Sequence, residues 1–205
     1  VTITQAVNPA TTISYSSSGS FCSNASLQNV TISGTSGGTF SSTTGLIINA
    51  STGQIDPSAS TPGNYTVTYE ILPAGNCAGF ITTTSVSIIQ APSASAGSNM
   101  QICSDASNVT IGASASALNY SSVLWTSNGS AGTITNASSL NGATYTPSVA
   151  DIASGGIILT LIINGNSPCA SVQSTITVSI TGAATAVAGI DIHACAGLSN
   201  VNITA

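Results

Sequence analysis

Few side chains in this 205-residue sequence can do chemistry: five cysteines, five carboxylates (Asp56, Glu70, Asp105, Asp151, Asp191) and one histidine, His193. There is no Lys and no Arg. Without lysine there is no Schiff-base chemistry, and without arginine there is no clamp for a carboxylate. A basic face for nucleic acid is also missing. The carboxylates are scattered, whereas calcium takes roughly six to eight oxygens. A lone histidine and cysteines without a Cys-x-x-Cys spacing make a poor zinc set. His193 has no visible Ser or Cys/Asp team around it, so it reads as a surface or interdomain residue. The sequence therefore predicts no catalytic residue, no metal site and no cofactor. Thiol oxidation is the chemistry that remains.

The thiols are spaced with a purpose. Phe21-Cys-Ser-Asn-Ala-Ser-Leu-Gln-Asn-Val-Thr-Ile32 is repeated by Ile102-Cys-Ser-Asp-Ala-Ser-Asn-Val-Thr-Ile111, and again by Ala194-Cys-Ala-Gly-Leu-Ser-Asn-Val-Asn-Ile203. Cys22, Cys103 and Cys195 thus recur at steps of 81 and 92 residues. Strand endings recur as well: Thr84 to Gln90 matches Ile176 to Thr181, and both resemble Val1-Thr-Ile-Thr-Gln5. A period of this length marks a tandem array. Residues 1–6 read as the last strand of a preceding or neighbouring unit, 7–90 as one repeat, 91–182 as a second and 183–205 as the start of a third. Cys77 and Cys169 each fall in the turn between the last two strands of a repeat. The expected pairs are Cys22 with Cys77 and Cys103 with Cys169, closing loops of 55 and 66 residues. Each would stabilise its unit by roughly 4 kcal/mol in the chain-entropy model. Cys195 is left to pair beyond this stretch. Such a framework belongs in an oxidising compartment.

The elements that hold these thiols read as all-β. Charged residues are 2% of the chain, against about 25% in an ordinary domain, and β-branched residues are abundant. Tyr65, Val67, Tyr69 and Ile71 alternate with polar neighbours, as in a half-buried strand. Ile157, Leu159, Leu161 and Ile163 form the matching inward set, and Val172, Ser174, Ile176, Val178 and Ile180 the closing strand. Trp125 is expected in the core on a third strand. About seven strands per repeat is the size of an immunoglobulin-like β-sandwich. Gly37, Gly38, Gly53 and Gly63 mark turns, as do Pro57 and Pro62, and Asp56 and Asp151 are expected to accept backbone N–H bonds in Asx turns. No apolar run approaches the roughly 20 residues of a membrane-spanning helix.

Gly37-Gly-Thr-Phe-Ser-Ser-Thr-Thr-Gly-Leu46, Ser51-Thr-Gly-Gln-Ile-Asp-Pro57 and Ser60-Thr-Pro-Gly-Asn-Tyr-Thr-Val-Thr-Tyr69 resemble the Ig-like repeats of very large bacterial surface adhesins of the type IX-exported kind. Ala143-Thr-Tyr-Thr-Pro-Ser-Val-Ala-Asp-Ile152 with Leu159-Thr-Leu161 is similar to a second repeat subtype. The resemblance implies extracellular, cell-surface arrays of disulfide-stapled sandwiches that act as stalks, adhesins or fibres. This sequence departs from it in lacking Lys and Arg.

Nine Asn-x-Ser/Thr sequons stand at Asn24, Asn29, Asn49, Asn64, Asn108, Asn119, Asn128, Asn136 and Asn202. With so little charge, hydration must come from hydroxyls, amides or sugars, which makes these asparagines candidates for glycan. The leading expectation is a structural repeat of an extracellular filament, pilus-like fibril or stalk, whose partners are other copies or repeats of itself. The almost slackless connector Ile89-Gln90-Ala91-Pro92 fits a semi-rigid rod. Val1, Ile3 and Gln5 form the candidate assembly strand, closing a neighbouring sandwich, and outward Ile158 and Ile162 are candidate contacts between units. The alternatives are a carbohydrate- or surface-binding adhesin module and an ice-binding protein. The long period argues against the second.

Overall fold

The computed structural model describes residues 9–75, 77–127 and 129–186, which are mostly β-strand. Six strands lie in the first half: β1 (Thr11–Tyr15), β2 (Ser20–Cys22), β3 (Val30–Gly34), β4 (Thr39–Ser42), β5 (Gly63–Ile71) and β6 (Phe80–Ile89). The second half holds β7 (Ser93–Ser95), β8 (Met100–Cys103), β9 (Val109–Ile111), β10 (Ser116–Leu118), β11 (Tyr120–Thr126), β12 (Thr133–Thr135), β13 (Ala143–Thr146), helix α1 (Val149–Ser154), β14 (Gly156–Gly165) and β15 (Val172–Thr181).

The two halves have separate cores. Period-two alternation aims Tyr65, Val67 and Tyr69 of β5 and Val86 and Ile88 of β6 at Phe21, Phe40 and Ile55. Leu159, Leu161 and Ile163 of β14 and Ile176 and Val178 of β15 pack on Trp125, Ile111 and Tyr145. Trp125 is 2% exposed, and its indole N–H donates to the Leu140 carbonyl at 3.3 Å, so the polar edge of the ring is satisfied inside.

The sheets follow one plan in both halves. β4, β5 and β6 run antiparallel in sequence, as do β11, β14 and β15. A short strand from the start of each half then adds in parallel to the last strand. β2 pairs with β6 (Cys22 opposite Ile89), and β8 pairs with β15 (Cys103 opposite Thr181). In the first half the chain reaches this position by changing sheets after β1. That strand pairs with β3, then Ser17, Ser18 and Gly19 take positive φ (51°, 53° and 74°) and swing the chain across to β6. A Cβ at Gly19 would collide with the Ser85 carbonyl oxygen, so this corner requires glycine.

One element escaped the sequence reading. α1 is a single capped turn. The Ser148 hydroxyl accepts from the Asp151 N–H, Asp151 accepts from the Ser148 N–H, and Gly155 closes the helix at φ 77°. Ser148-x-x-Asp151 is the sequence signature of that capping box.

Candidate functional site at the Cys22–Cys169 junction

The expected cysteine pairing needs correction. Cys22 is joined to Cys169, 147 residues away, with their Cα atoms 4.9 Å apart. The reason lies in the parallel pairing. Cys22 sits beside Ile89 at the end of β6, whereas Cys77 lies in the turn that precedes β6. The two are therefore separated by the length of a 10-residue strand, about 30 Å. A disulfide tolerates Cα separations up to about 7 Å. Cys103, opposite Thr181, is kept from Cys169 by the length of β15 in the same way. Cysteines of one half lie at opposite ends of it, and the end of the first half abuts the β14–β15 turn of the second.

The junction is tightly tied. β6 ends at Ile89 and β7 begins at Ser93. The Ser23 N–H donates to the Ile89 carbonyl at 2.7 Å, the Ala91 N–H to the Ser23 hydroxyl at 2.9 Å, and the Ala25 N–H to the Cys22 carbonyl at 2.9 Å. The Asn119 side-chain amide donates to the Ala91 carbonyl at 3.3 Å. Within the turn, the Cys169 N–H donates to Asn166 at 2.8 Å. The Cys169 sulfur rests 3.6 Å from the Ile89 and Gln90 carbonyl oxygens, and as a disulfide sulfur it has no proton to donate, so this is packing. Cys22 is 6% exposed and Cys169 8%. Cys103 is an exposed thiol. Cys195 lies outside the described residues, as do His193, Asp191 and the proposed assembly residues Val1, Ile3 and Gln5.

Asp151 is the buried carboxylate among the described residues, 6% exposed. Its Oδ2 accepts from the Tyr145 hydroxyl (2.7 Å), the Ser148 N–H (2.7 Å) and the Ser148 hydroxyl (2.6 Å), and Oδ1 accepts from the Ser130 hydroxyl (2.6 Å). Burial alone would push its titration up. The donors from Ser130, Ser148 and Tyr145 outweigh burial and hold it below the usual carboxylate range. Tyr145 is pushed up to about 12 by burial and by the Asp151 charge, against the lowering effect of Ser130. These four bonds lock α1 and the Ser130 loop onto β13, so the arrangement is a structural tie. Asp56 behaves as expected of a turn residue. Its Oδ1 accepts from the Ser58 and Ala59 N–H groups, and chiefly the Ser58 hydroxyl lowers its titration.

Of the nine sequon asparagines, seven are described and all are exposed: Asn24, Asn29, Asn49, Asn64, Asn108, Asn119 and Asn136. Asn128 and Asn202 lie outside the described residues. A shallow groove is lined by Ser18, Ser20, Asn64, Thr66, Ser85 and Ser87. Its lining is hydroxyl and amide, and the Tyr65 ring at its wall is buried in the core, so it offers no open ring face for a sugar. Ile158 is exposed and Ile162 half-buried on the outer face of β14.

The sequence matches no protein-family model and no curated protein. Among solved structures the backbone is similar to Drosophila OTK extracellular domains 3-5, at 12% identity and a TM-score of 0.46, over 83% of this chain and 62% of that one. It is also similar to Sidekick-1 immunoglobulin domains 1-4, at 12% identity and a TM-score of 0.43, over 87% of this chain and 51% of that one. This chain therefore spans less than two thirds of either.

Proposed function

We propose that this chain is a stretch of an extracellular filament or stalk made of tandem immunoglobulin-like β-sandwich units, 7–90 and 91–182 being two of them. The observation that carries the reading is the repetition of the junction scaffold. At the end of the second unit the Ser104 N–H donates to the Thr181 carbonyl (2.8 Å), the Ala183 N–H to the Ser104 hydroxyl (3.0 Å) and the Ala106 N–H to the Cys103 carbonyl (3.1 Å). These bonds match, residue for residue, those of Ser23, Ala91 and Ala25 at the end of the first. A chain that ends one unit as it ends the other is built for end-to-end repetition. A disulfide fits an oxidising, extracellular setting. The exposed sequon asparagines support a coat of covalent glycan over a surface with 2% charged residues. Contacts between successive units, and with Val1, Ile3 and Gln5 as a closing strand, supply the self-association. Electron micrographs of material from its source test this reading. Continuous filaments with a subunit-scale repeat are expected, and dispersed chains would overturn it. An intact mass equal to the polypeptide alone would remove the glycan.

A further inference from the structure

Cys103 is the residue this fold leaves unexplained. It stands on the scaffold that presents Cys22: a parallel strand beside the last strand of the unit, with the same three hydrogen bonds behind it. One copy of that scaffold is already occupied. Cys22 receives the turn cysteine of the following unit, Cys169, seated against the carbonyl oxygens of Ile89 and Gln90. The corresponding carbonyls beside Cys103 belong to Thr181 and Gly182. The other half of the pair recurs too. The Cys77 N–H donates to the Ala74 carbonyl at 3.0 Å, three residues back, as the Cys169 N–H does to Asn166. Each unit thus carries one cysteine at its leading turn and one at its trailing end, about 30 Å apart.

We propose that Cys103 forms a disulfide with the turn cysteine of the next β-sandwich unit, so that successive units are joined by one bridge each in a covalent ladder. The inference rests on the tandem reading above and deepens it by naming what the trailing end binds. The ligand is a thiol on a unit of the same kind, further along the same polypeptide or on a neighbouring copy. The oxidant is a disulfide, of the glutathione or oxidoreductase type. The Cys103 thiolate attacks it, forming a mixed disulfide and expelling one thiol. The turn-cysteine thiolate of the next unit then attacks Cys103 Sγ and expels the second. Two thiols lose two protons and two electrons, and the oxidant disulfide becomes two thiols.

The test uses protein from its source, alkylated with iodoacetamide before any reduction. Digestion is with pepsin, because these 205 residues carry no Lys or Arg for trypsin to cut at. The expected result is a Cys103 peptide joined to a second peptide bearing a turn cysteine of another unit, and opened by dithiothreitol. If both cysteines lie on one polypeptide, reduction leaves the mass of the whole chain unchanged. If they lie on neighbouring copies, reduction releases single chains. Carbamidomethylated Cys103 in unreduced material overturns the proposal, as does a link to Cys169. A link to Cys77 overturns it where reduction does not change the chain mass. Micrographs of the same sample keep the two readings apart. Filaments with alkylated Cys103 end the ladder alone, whereas dispersed chains end the filament reading whatever Cys103 carries. Cys103→Ser should fold unchanged, because the side chain is exposed, and should remove only the linked peptide.

Discussion

Cys22 and Cys103 occupy the same place in the two halves of the molecule and have opposite fates. Their strands, registers and supporting hydrogen bonds coincide, yet Cys22 is buried and bonded while Cys103 is an exposed thiol. The state of the cysteine is therefore set by what packs on the end of its half. Burial that comes from a neighbour, unlike burial in a core, can be taken away without unfolding that half. That distinction can be broken or sharpened by substitution.

The largest effect should come from Cys22→Ser. Closing a loop of 147 residues is worth about 5 kcal/mol in the chain-entropy model. Guanidinium unfolding followed by circular dichroism should show an earlier transition. A single unshifted transition would mean that the bridge carries no constraint. Next is Trp125→Ala, which empties the centre of the second core and should cost about 3–5 kcal/mol. Only the second half should melt early, because the two cores are separate. Simultaneous loss of both halves would contradict that separation.

Asp151→Asn should cost about 2 kcal/mol, by weakening the hydrogen bonds its charge accepts. The wild-type acid profile gives the sign. Asp151 titrates lower folded than unfolded, so its contribution is complete above the unfolded value near about 4 and drains away as pH falls through the folded one. Near-ultraviolet circular dichroism of the wild type should lose its Tyr145 and Trp125 signals on acidification. In Asp151→Asn that acid-dependent portion should be gone. The smallest effect belongs to the end-cap serines. Ser23→Ala, inside the closed junction, should cost about 1 kcal/mol. Ser104→Ala should cost as much, since the proposed next unit covers its bond to Ala183 as the second half covers that of Ser23. Hydrogen exchange at Ala91 and Ala183 reads both. Equal protection at the two sites would show that the second end is covered as well.

Much of the fold is readable from the chain. Alternation placed Tyr65, Val67 and Tyr69, and likewise Leu159, Leu161 and Ile163, on inward faces, because a period of two leaves a strand no other way to hide apolar side chains, and Trp125 followed from its place on an expected third strand. Asp56 followed from turn chemistry that is local in sequence. The disulfide partner did not. One cysteine at each end of a repeat gives the same spacing whether bridges close within a repeat or step to the next. What separates the two is the parallel addition of Ser20–Cys22 beside Ser87–Ile89, a non-local pairing invisible to periodicity. The Asp151 tie shows a milder version. Its capping box is local, but Ser130 and Tyr145 come from a loop and a strand that only the folded sheet brings together.

The Cys22–Cys169 bond also bears on how the molecule answers to pulling. Its two ends bracket 147 residues, about 500 Å of contour length if drawn straight. With the bond closed, tension entering before Cys22 leaves after Cys169 by way of two sulfur atoms, and the slack in between cannot be paid out even if the strands inside the loop come undone. Unfolding then costs the molecule its shape but not its reach. Reduction would restore the hidden length. Extension traces of single molecules, taken before and after dithiothreitol, would show it as long steps that appear only in the reduced chain.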